Sequence, residues 1–208
     1  MDSKKETKAI FFDLGGVIVD LDWKLCVNNF KKIGVPNMDD LISTTLQRGF
    51  ILDYELGLIT AEEFRDKIRE NALQPVTDEQ IDYAWTSLLV SIPPAKLDLL
   101  IKLKKTYKVY MLSNTNTLSY QYCLDNMFNV DGHSVNEYFD KCFLSFQMHL
   151  NKPNADIFEA VLADRGLIAE ECLFLDDGLH NIETAAKIGF KTMFVEPYSE
   201  LKPEVFGM

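Results

Sequence analysis

The feature that most constrains the fold is a series of short, wholly apolar runs separated by longer helical patterns. Five runs of three or four residues recur along the chain, at 9–12, 109–112, 142–144, 172–175 and 192–195. Continuous apolar runs of this length suit the strands of a parallel sheet that is buried on both faces. Strands that alternate with helices predict an α/β fold built on a doubly wound parallel sheet.

Prolines and glycines mark the expected ends of the intervening helices. Pro94 and Pro153 can each open a helix, because a proline at the first helical position loses no hydrogen bond. Gly166 and Gly189 can each close one. A further helix is predicted from residue 181 to residue 188.

One long segment, from about Leu21 to Ser91, interrupts the alternation with helical patterns and no predicted strand. Residues 60–63 (Thr-Ala-Glu-Glu) and 77–80 (Thr-Asp-Glu-Gln) match the capping box that opens helices. We therefore predict an α/β core of residues 1–20 and 92–208, with a helical domain of residues 21–91 inserted after the first strand.

Composition limits the partners of the chain. The net charge of -11 over 208 residues argues against nucleic acid or an anionic membrane surface. Residues 1–8 lack an apolar signal core, so we expect a cytoplasmic protein without a membrane segment. Four scattered cysteines without a C-x-x-C pair suggest reduced thiols, and three histidines lack ligand spacing. An anionic small molecule would need a local positive centre, such as a lysine or a metal.

Four groups of polar residues lie at the carboxyl ends of predicted strands. In open α/β sheets, ligands bind outside the carboxyl ends of the strands. Each group alone has a structural explanation as a cap, a turn or a solvated charge, but together and in this order they indicate a catalytic site. The groups are Asp13 with Gly15 and Gly16, then Ser113-Asn114-Thr115, then Lys152, and last Asp176-Asp177 with Asn181.

These four groups resemble the four motifs of haloacid dehalogenase-like hydrolases. The motifs are similar to residues 12–20 (Phe-Asp-Leu-Gly-Gly-Val-Ile-Val-Asp), 112–114 (Leu-Ser-Asn), 151–153 (Asn-Lys-Pro) and 175–177 (Leu-Asp-Asp) with Asn181. The resemblance extends from Ile10 to about Glu196, and the helical insert has the position and size of the cap called type C1. Residues 13–17, 54–64 and 112–116 are similar to one branch, bacterial sugar-phosphate phosphatases that act on α-glucose 1-phosphate.

The resemblance implies a phosphatase that uses Mg²⁺ to hydrolyse a small phosphorylated metabolite, such as a sugar phosphate. Asp13 would attack phosphorus and form an aspartyl-phosphate. Clustered acids raise one another's pKa and repel a phosphate, and a cation with oxygen ligands corrects both effects. The resemblance implies that Asp13, Asp177 and the carbonyl of Gly15 bind the metal. Lys152 and Ser113 would act in catalysis and, with the amide of Asn114, bind the phosphate. Asp176 and Asn181 would support these residues without binding the metal directly.

Position 15 departs from the pattern of the family. Most phosphatases of the superfamily carry a second Asp two residues after the nucleophile, and this chain has Gly15 there. General acid catalysis is worth roughly 10²–10⁴-fold. Three explanations stay open: a leaving group of low pKa such as an anomeric hydroxyl, which we favour; an acid from the cap or from water; or little catalysis.

Several alternative functions are compatible with parts of this pattern. A 2-haloacid dehalogenase needs no second acid but gains nothing from the pair 176–177. A mutase similar to β-phosphoglucomutase needs the missing acid, and a non-catalytic sensor of a phosphorylated metabolite needs no turnover. A dinucleotide site is poorly supported, since no G-x-G-x-x-G occurs. Trp23, Phe50, Tyr54 and Glu55 are candidate pocket residues, while the oligomeric state cannot be read from the sequence.

Overall fold

A five-stranded parallel sheet forms the centre of the structure, a computed structural model that describes residues 5–41, 48–130 and 132–206. The strands of the chain are β1 (Ala9–Phe12), β2 (Asp20–Leu21), β3 (Leu89–Ser91), β4 (Lys108–Ser113), β5 (Lys141–Leu144), β6 (Cys172–Asp176) and β7 (Lys191–Phe194). The sheet has the order β5-β4-β1-β6-β7. All five predicted apolar runs are strands of this sheet, which confirms the predicted parallel α/β fold.

Helices cover both faces of the sheet. The helices in the described residues are α1 (Trp23–Lys32), α2 (Met38–Leu41), α3 (Gly49–Glu55), α4 (Ala61–Glu70), α5 (Asp78–Thr86), α6 (Pro94–Leu103), α7 (Thr117–Asn126), α8 (Val135–Tyr138), α9 (Ser145–Met148), α10 (Ala155–Arg165) and α11 (Leu179–Ile188). In β1, Ile10 and Phe12 join an apolar cluster with residues of α6, whereas Phe11 faces a second cluster with residues of α10. Burial on both faces is why β1 is apolar at every position.

The predicted helix boundaries hold with one main correction. Helix α6 begins at Pro94, and α10 and α11 end at Gly166 and Gly189, which both have positive φ. Helix α10, however, begins at Ala155 and not at Pro153. The side chain of Asn114 holds the backbone of residue 152 through two hydrogen bonds, so the chain turns into the helix only after that point. Helix α11 begins at Leu179, two residues before the predicted start.

The segment between β2 and β3 is helical and has its own apolar centre. Both predicted capping boxes are present, at the first turns of α4 and α5. Phe30, Phe64 and Trp85 are buried together there, in a cluster separate from the two that cover the sheet. We expect each satisfied cap to stabilise its helix by about 1 kcal/mol.

The expectation that 21–91 contains no strand is wrong at both ends. Asp20–Leu21 pairs antiparallel with Leu89–Ser91, so the chain enters and leaves the helical segment through a two-stranded ribbon. Runs of two and three residues are too short to show a strand period, and their pairing joins residues about seventy positions apart. The division into a core of 1–20 and 92–208 and a cap of 21–91 stays a prediction, and this ribbon spans its boundaries.

Candidate active site

Three of the predicted site residues lie where neighbouring strands end. Asp13 follows β1, Ser113 ends β4 and Asp176 ends β6, and all three are buried. Because β1 lies between β4 and β6, the parallel sheet brings these residues to one edge. The backbone N–H of Asp13 donates to the carbonyl of Leu175 at 2.9 Å, which fixes the backbone of Asp13 beside the end of β6.

The expectation that Lys152 lies at a strand end is wrong, because it follows α9 in the connection to α10. From there it joins two of the acids. Its side chain is 1% exposed, and Nζ lies 2.9 Å from Asp13 Oδ1 and 2.6 Å from Asp176 Oδ2. Asn114 holds the lysine in place: Nδ2 donates to the Lys152 carbonyl at 2.8 Å, and the Lys152 N–H donates to Oδ1 at 2.9 Å. Burial alone would lower the pKa of Lys152, but attraction to Asp13 and Asp176 outweighs it and raises the pKa. The lysine therefore keeps its charge.

Asp176 is fully occupied by protein donors. Its Oδ1 accepts from the N–H of Gly178 at 2.7 Å and from Asn181 Nδ2 at 2.8 Å, while Oδ2 accepts from Lys152. A carboxylate with these donors has little left to offer a metal. The geometry supports the prediction that Asp176 and Asn181 orient Lys152 and do not bind the ion directly.

The three acids at this edge form a group that can hold a cation. One carboxylate oxygen from each of Asp13, Asp176 and Asp177 lies within 4.8 Å of the others. Burial, the charge of Lys152 acting against it, and repulsion from the two other acids give Asp13 a pKa raised to about 7. Burial and then Asp176 raise the pKa of Asp177 to about 6. One lysine cannot neutralise three acids, and an all-oxygen donor set fits a hard divalent ion such as Mg²⁺.

The two glycines after Asp13 have different reasons to be small. Gly16 has φ of 75°, and a Cβ there would lie 2.1 Å from Asp177 Oδ2, so only glycine allows Asp177 to approach. At Gly15, a Cβ would lie 2.9 Å from Leu21 Cδ1. Leu21, in β2, therefore occupies the space that the second acid of the family pattern would enter.

A cavity of about 470 Å³ opens above these residues. Such a volume is in the range of small-molecule sites. Its lining includes Asp13, Ser113, Asn114, Lys152 and Asp177 from the core, and it continues over Leu21, Trp23, Glu55, Trp85, Leu88 and Asn116. The site thus combines a charged floor with a mixed apolar and polar upper part.

The structure separates the four candidate pocket residues into two pairs. Trp23 and Glu55 line the cavity. Tyr54 and Phe50 instead pack on Phe64 in the helical segment, with ring centroids 4.5 Å and 5.9 Å away. Trp85 also lines the cavity, and its position after the predicted capping box at 77–80 indicates only that it belongs to a helix. His180 lies at the rim and is exposed, as expected for a surface histidine.

The comparisons with known proteins agree with this geometry. The haloacid dehalogenase-like hydrolase family model matches residues 7–189. The chain belongs to this family. D-ribitol-5-phosphate phosphatase of Bacteroides thetaiotaomicron is 35% identical over 198 residues, which cover 95% of this chain and 96% of the relative.

Two solved structures of the family are also similar. A HAD-family enzyme of Bacteroides thetaiotaomicron, crystallised with magnesium and inorganic phosphate, is 42% identical, with a TM-score of 0.94 and coverage of 96% of this chain and 98% of that one. A predicted HAD-like hydrolase of Porphyromonas gingivalis is 33% identical, with a TM-score of 0.90 and 98% coverage of both chains. The resemblance read from the four motifs is confirmed.

No helix in the described ranges combines the length and the apolar character that crossing a bilayer would require.

Proposed function

We propose that this protein is a phosphatase that uses Mg²⁺ to hydrolyse a small phosphorylated metabolite of the sugar or sugar-alcohol type, through an aspartyl-phosphate on Asp13. The observation that carries the proposal is a carboxylate held by Lys152, within 4.8 Å of two further carboxylates, at the floor of a cavity of about 470 Å³. The relative named for D-ribitol 5-phosphate and the related structure with magnesium and phosphate support it.

The residues at the floor of the cavity have distinct proposed roles as nucleophile, metal ligands and positive charge. Asp13 attacks phosphorus, and Asp13, Asp177 and the Gly15 carbonyl hold Mg²⁺, which when bound offsets the repulsion between the nucleophile and the phosphate. Lys152 carries a fixed positive charge beside the nucleophile and stabilises the phosphoryl group in the transition state. Asp176 keeps the lysine oriented.

Ser113 and the backbone amide of Asn114 are the proposed donors to the phosphoryl oxygens. Among the described residues, the Ser113 hydroxyl makes one long contact, 3.4 Å to the carbonyl of Asn114, so it can turn towards a phosphate. The side chain of Asn114 is committed to the backbone of Lys152. Its backbone N–H is therefore the group proposed for the substrate.

The helical segment of residues 21–91 is the proposed cap that selects the substrate. Trp23, Glu55 and Trp85 of this segment line the upper part of the cavity. The alcohol portion of the ester would lie there, above the phosphoryl site. A cytoplasmic location and the absence of a nucleic-acid partner belong to the same proposal, and the net charge of -11 supports the second.

The position of the phosphate on the sugar divides this proposal into two forms. Gly15 favours sugar 1-phosphates, whose anomeric leaving group needs less protonation, whereas the relative is named for a primary-alcohol phosphate. Initial rates on sugar 1-phosphates, sugar and sugar-alcohol 5-phosphates and 4-nitrophenyl phosphate would separate the two. A preference for 1-phosphates over the matching 5- or 6-phosphates supports the first form.

The same assay tests the function itself. We expect release of phosphate with Mg²⁺, none in EDTA, and none with Asp13→Asn. Halide release from 2-haloacids that persists in EDTA would instead indicate a dehalogenase, and isomerisation without free phosphate would indicate a mutase. Phosphorylation of Asp13 without turnover would indicate a sensor.

A further inference from the structure

The last residue of α3, Glu55, presents an acid from the helical segment to the active-site cavity. Glu55 is 9% exposed and lines the cavity with Asp13 and Lys152. In the ranges that the structure describes, no side chain donates a hydrogen bond to its carboxyl group. A buried carboxyl group that faces a cavity and has no protein donor is a candidate functional residue.

The backbone around Glu55 is tied to the core. Ser145, at the start of α9, donates from Oγ to the Glu55 carbonyl at 2.6 Å and accepts from the N–H of Thr115 at 2.9 Å. The preceding residue, Tyr54, has its hydroxyl 2.7 Å from Thr117 Oγ1. These contacts connect Glu55 to the loop that follows β4, which also carries the proposed phosphate donors.

The two residues after Glu55 are held in the same way. The ring Nδ1 of His149 lies 2.8 Å from the carbonyl of Leu56. Gly57 has φ of 66°, and a Cβ there would lie 2.2 Å from the carbonyl oxygen of Phe146, so only glycine permits this approach. Four consecutive residues therefore contact the core, and Glu55 cannot move away from the site without breaking several of these contacts.

The surroundings of Glu55, and burial above all, favour its protonated form. Burial, and then the negative charge of Asp13, raise the pKa of Glu55 to about 8, while Lys152 acts in the opposite direction. Asp177 lies at the same floor, Glu183 and His180 are at the rim, and His149 bonds the neighbouring residue. A carboxyl group with this pKa carries a proton at neutral pH and can give it up to a stronger base.

We propose that Glu55 is the general acid and base of the reaction and replaces the side chain that is missing at Gly15. The proposal rests on the phosphatase function proposed above. It follows from a carboxyl group that lines the same cavity as Asp13, is held there by contacts with the core, and belongs to the segment proposed to contact the alcohol portion of a substrate. It selects the second of the three explanations for Gly15, an acid supplied by the cap.

The two half-reactions then balance. In the first, Asp13 forms a bond to phosphorus, the bond to the ester oxygen breaks, and Glu55 gives its proton to that oxygen, so a neutral alcohol leaves. In the second, the Glu55 carboxylate takes a proton from water as the water oxygen bonds to phosphorus. The bond between phosphorus and Asp13 breaks and inorganic phosphate is released. The Asp13 carboxylate and protonated Glu55 are then regenerated.

The test compares kcat/KM of Glu55→Gln with that of the wild type on three esters whose leaving groups differ in pKa. The esters are 4-nitrophenyl, phenyl and propyl phosphate, each assayed with Mg²⁺. None of these esters has a sugar hydroxyl that Glu55 could bind. We expect kcat/KM to fall roughly 10²–10⁴-fold for propyl phosphate and less than about tenfold for 4-nitrophenyl phosphate, because a good leaving group needs no proton. Glu62→Gln, which changes an exposed acid of α4 outside the cavity lining, should leave all three rates unchanged.

Equal losses of kcat/KM on all three esters would overturn the proposal, and so would losses on sugar phosphates alone. The pH profile of the wild type gives a second measurement that needs no variant. The rate on propyl phosphate should fall as pH rises through the pKa of Glu55, and the rate on 4-nitrophenyl phosphate should not show this fall. Should Glu55→Gln fail to fold, Glu55→Asp keeps the acid and should retain the same leaving-group dependence as the wild type.

The two proposals fail in different ways. If the wild type hydrolyses none of the esters with Mg²⁺, the phosphatase function is wrong and the role of Glu55 falls with it. If the wild type is active and Glu55→Gln loses the same factor on every ester, only the role of Glu55 is wrong.

Discussion

The floor and the roof of the cavity both carry buried acids, but they differ in how those acids are satisfied. At the floor, Asp13 and Asp176 share the ammonium group of Lys152, and Asp177 adds a third carboxyl group nearby. At the roof, the described residues place no such counter-charge in contact with Glu55. Three clustered carboxyl groups therefore favour a cation at the floor, whereas burial of a single carboxyl group favours a bound proton at the roof.

The largest effect we expect is from Asp13→Asn at the floor. The amide keeps the size of the side chain but removes the nucleophile, so turnover should fall by roughly 10⁴-fold or more, as for other covalent nucleophiles. Phosphate release measures the loss, and mass spectrometry should detect the aspartyl-phosphate only in the wild type. A variant with more than about one tenth of the wild-type rate would contradict the assigned role.

Lys152→Met tests whether one positive charge holds the floor together. Removing it leaves buried acids without their partner, and breaking a buried ion pair in this way costs about 3–5 kcal/mol. Urea unfolding at pH 7 measures the loss of unfolding free energy. Adding Asp176→Asn to this variant should restore part of the stability, since it removes one of the stranded charges; no recovery would mean that the pair is not coupled.

Mg²⁺ should stabilise the floor in a manner that depends on pH. The pKa of Asp13 is raised to about 7, and that of Asp177 to about 6, above their ordinary values. The folded, metal-free protein therefore binds protons more tightly than the unfolded chain, and its stability declines as pH rises through this range. Added Mg²⁺ replaces those protons, so its stabilising effect should grow with pH.

Thermal unfolding with and without Mg²⁺ at pH 5 and pH 8 measures this effect. At a hundredfold excess over Kd, the expected gain at the higher pH is about 2.7 kcal/mol. A shift in Tm that is the same at both values of pH would contradict the role of these two acids as ligands.

Ser145→Ala tests the connection between roof and floor. It removes the hydrogen bond to the Glu55 carbonyl and the acceptor of the Thr115 N–H. Leaving such groups unsatisfied costs about 1–3 kcal/mol. The rate on propyl phosphate should fall more than the rate on 4-nitrophenyl phosphate, because a displaced Glu55 delivers its proton poorly. Ser87→Ala, which removes a hydroxyl that bonds only within its own helix end, is the matched control.

Most of the floor could be predicted from the sequence. Asp13, Ser113 and Asp176 each follow an apolar run, and parallel strands bring their carboxyl ends to one edge of the sheet. The four motifs then identified Lys152, although no strand precedes it directly. The two hydrogen bonds from the side chain of Asn114 to the backbone of Lys152 could not be predicted, because they join residues 38 positions apart.

The roof could be predicted only in part. The stretch from Tyr54 to Gly57 belongs to a segment that resembles one branch of the family, and the sequence indicates Glu55 as a pocket residue without assigning it a role. The two-residue strand β2, which places Leu21 in the space beside Gly15, left no period in the sequence. Residues such as Trp85 gave only a helical pattern, which is the same for a core residue and a cavity wall.

The sequence by itself determined the α/β fold and the acids at the ends of β1 and β6, since these follow from local patterns and a shared sheet edge, whereas Lys152 came from the resemblance to the family motifs. Only the tertiary structure placed Glu55 in the same cavity as Asp13. The reason is physical: the proton affinity of Glu55 depends on burial and on the charge of Asp13, and both arise from contacts between segments far apart in the chain.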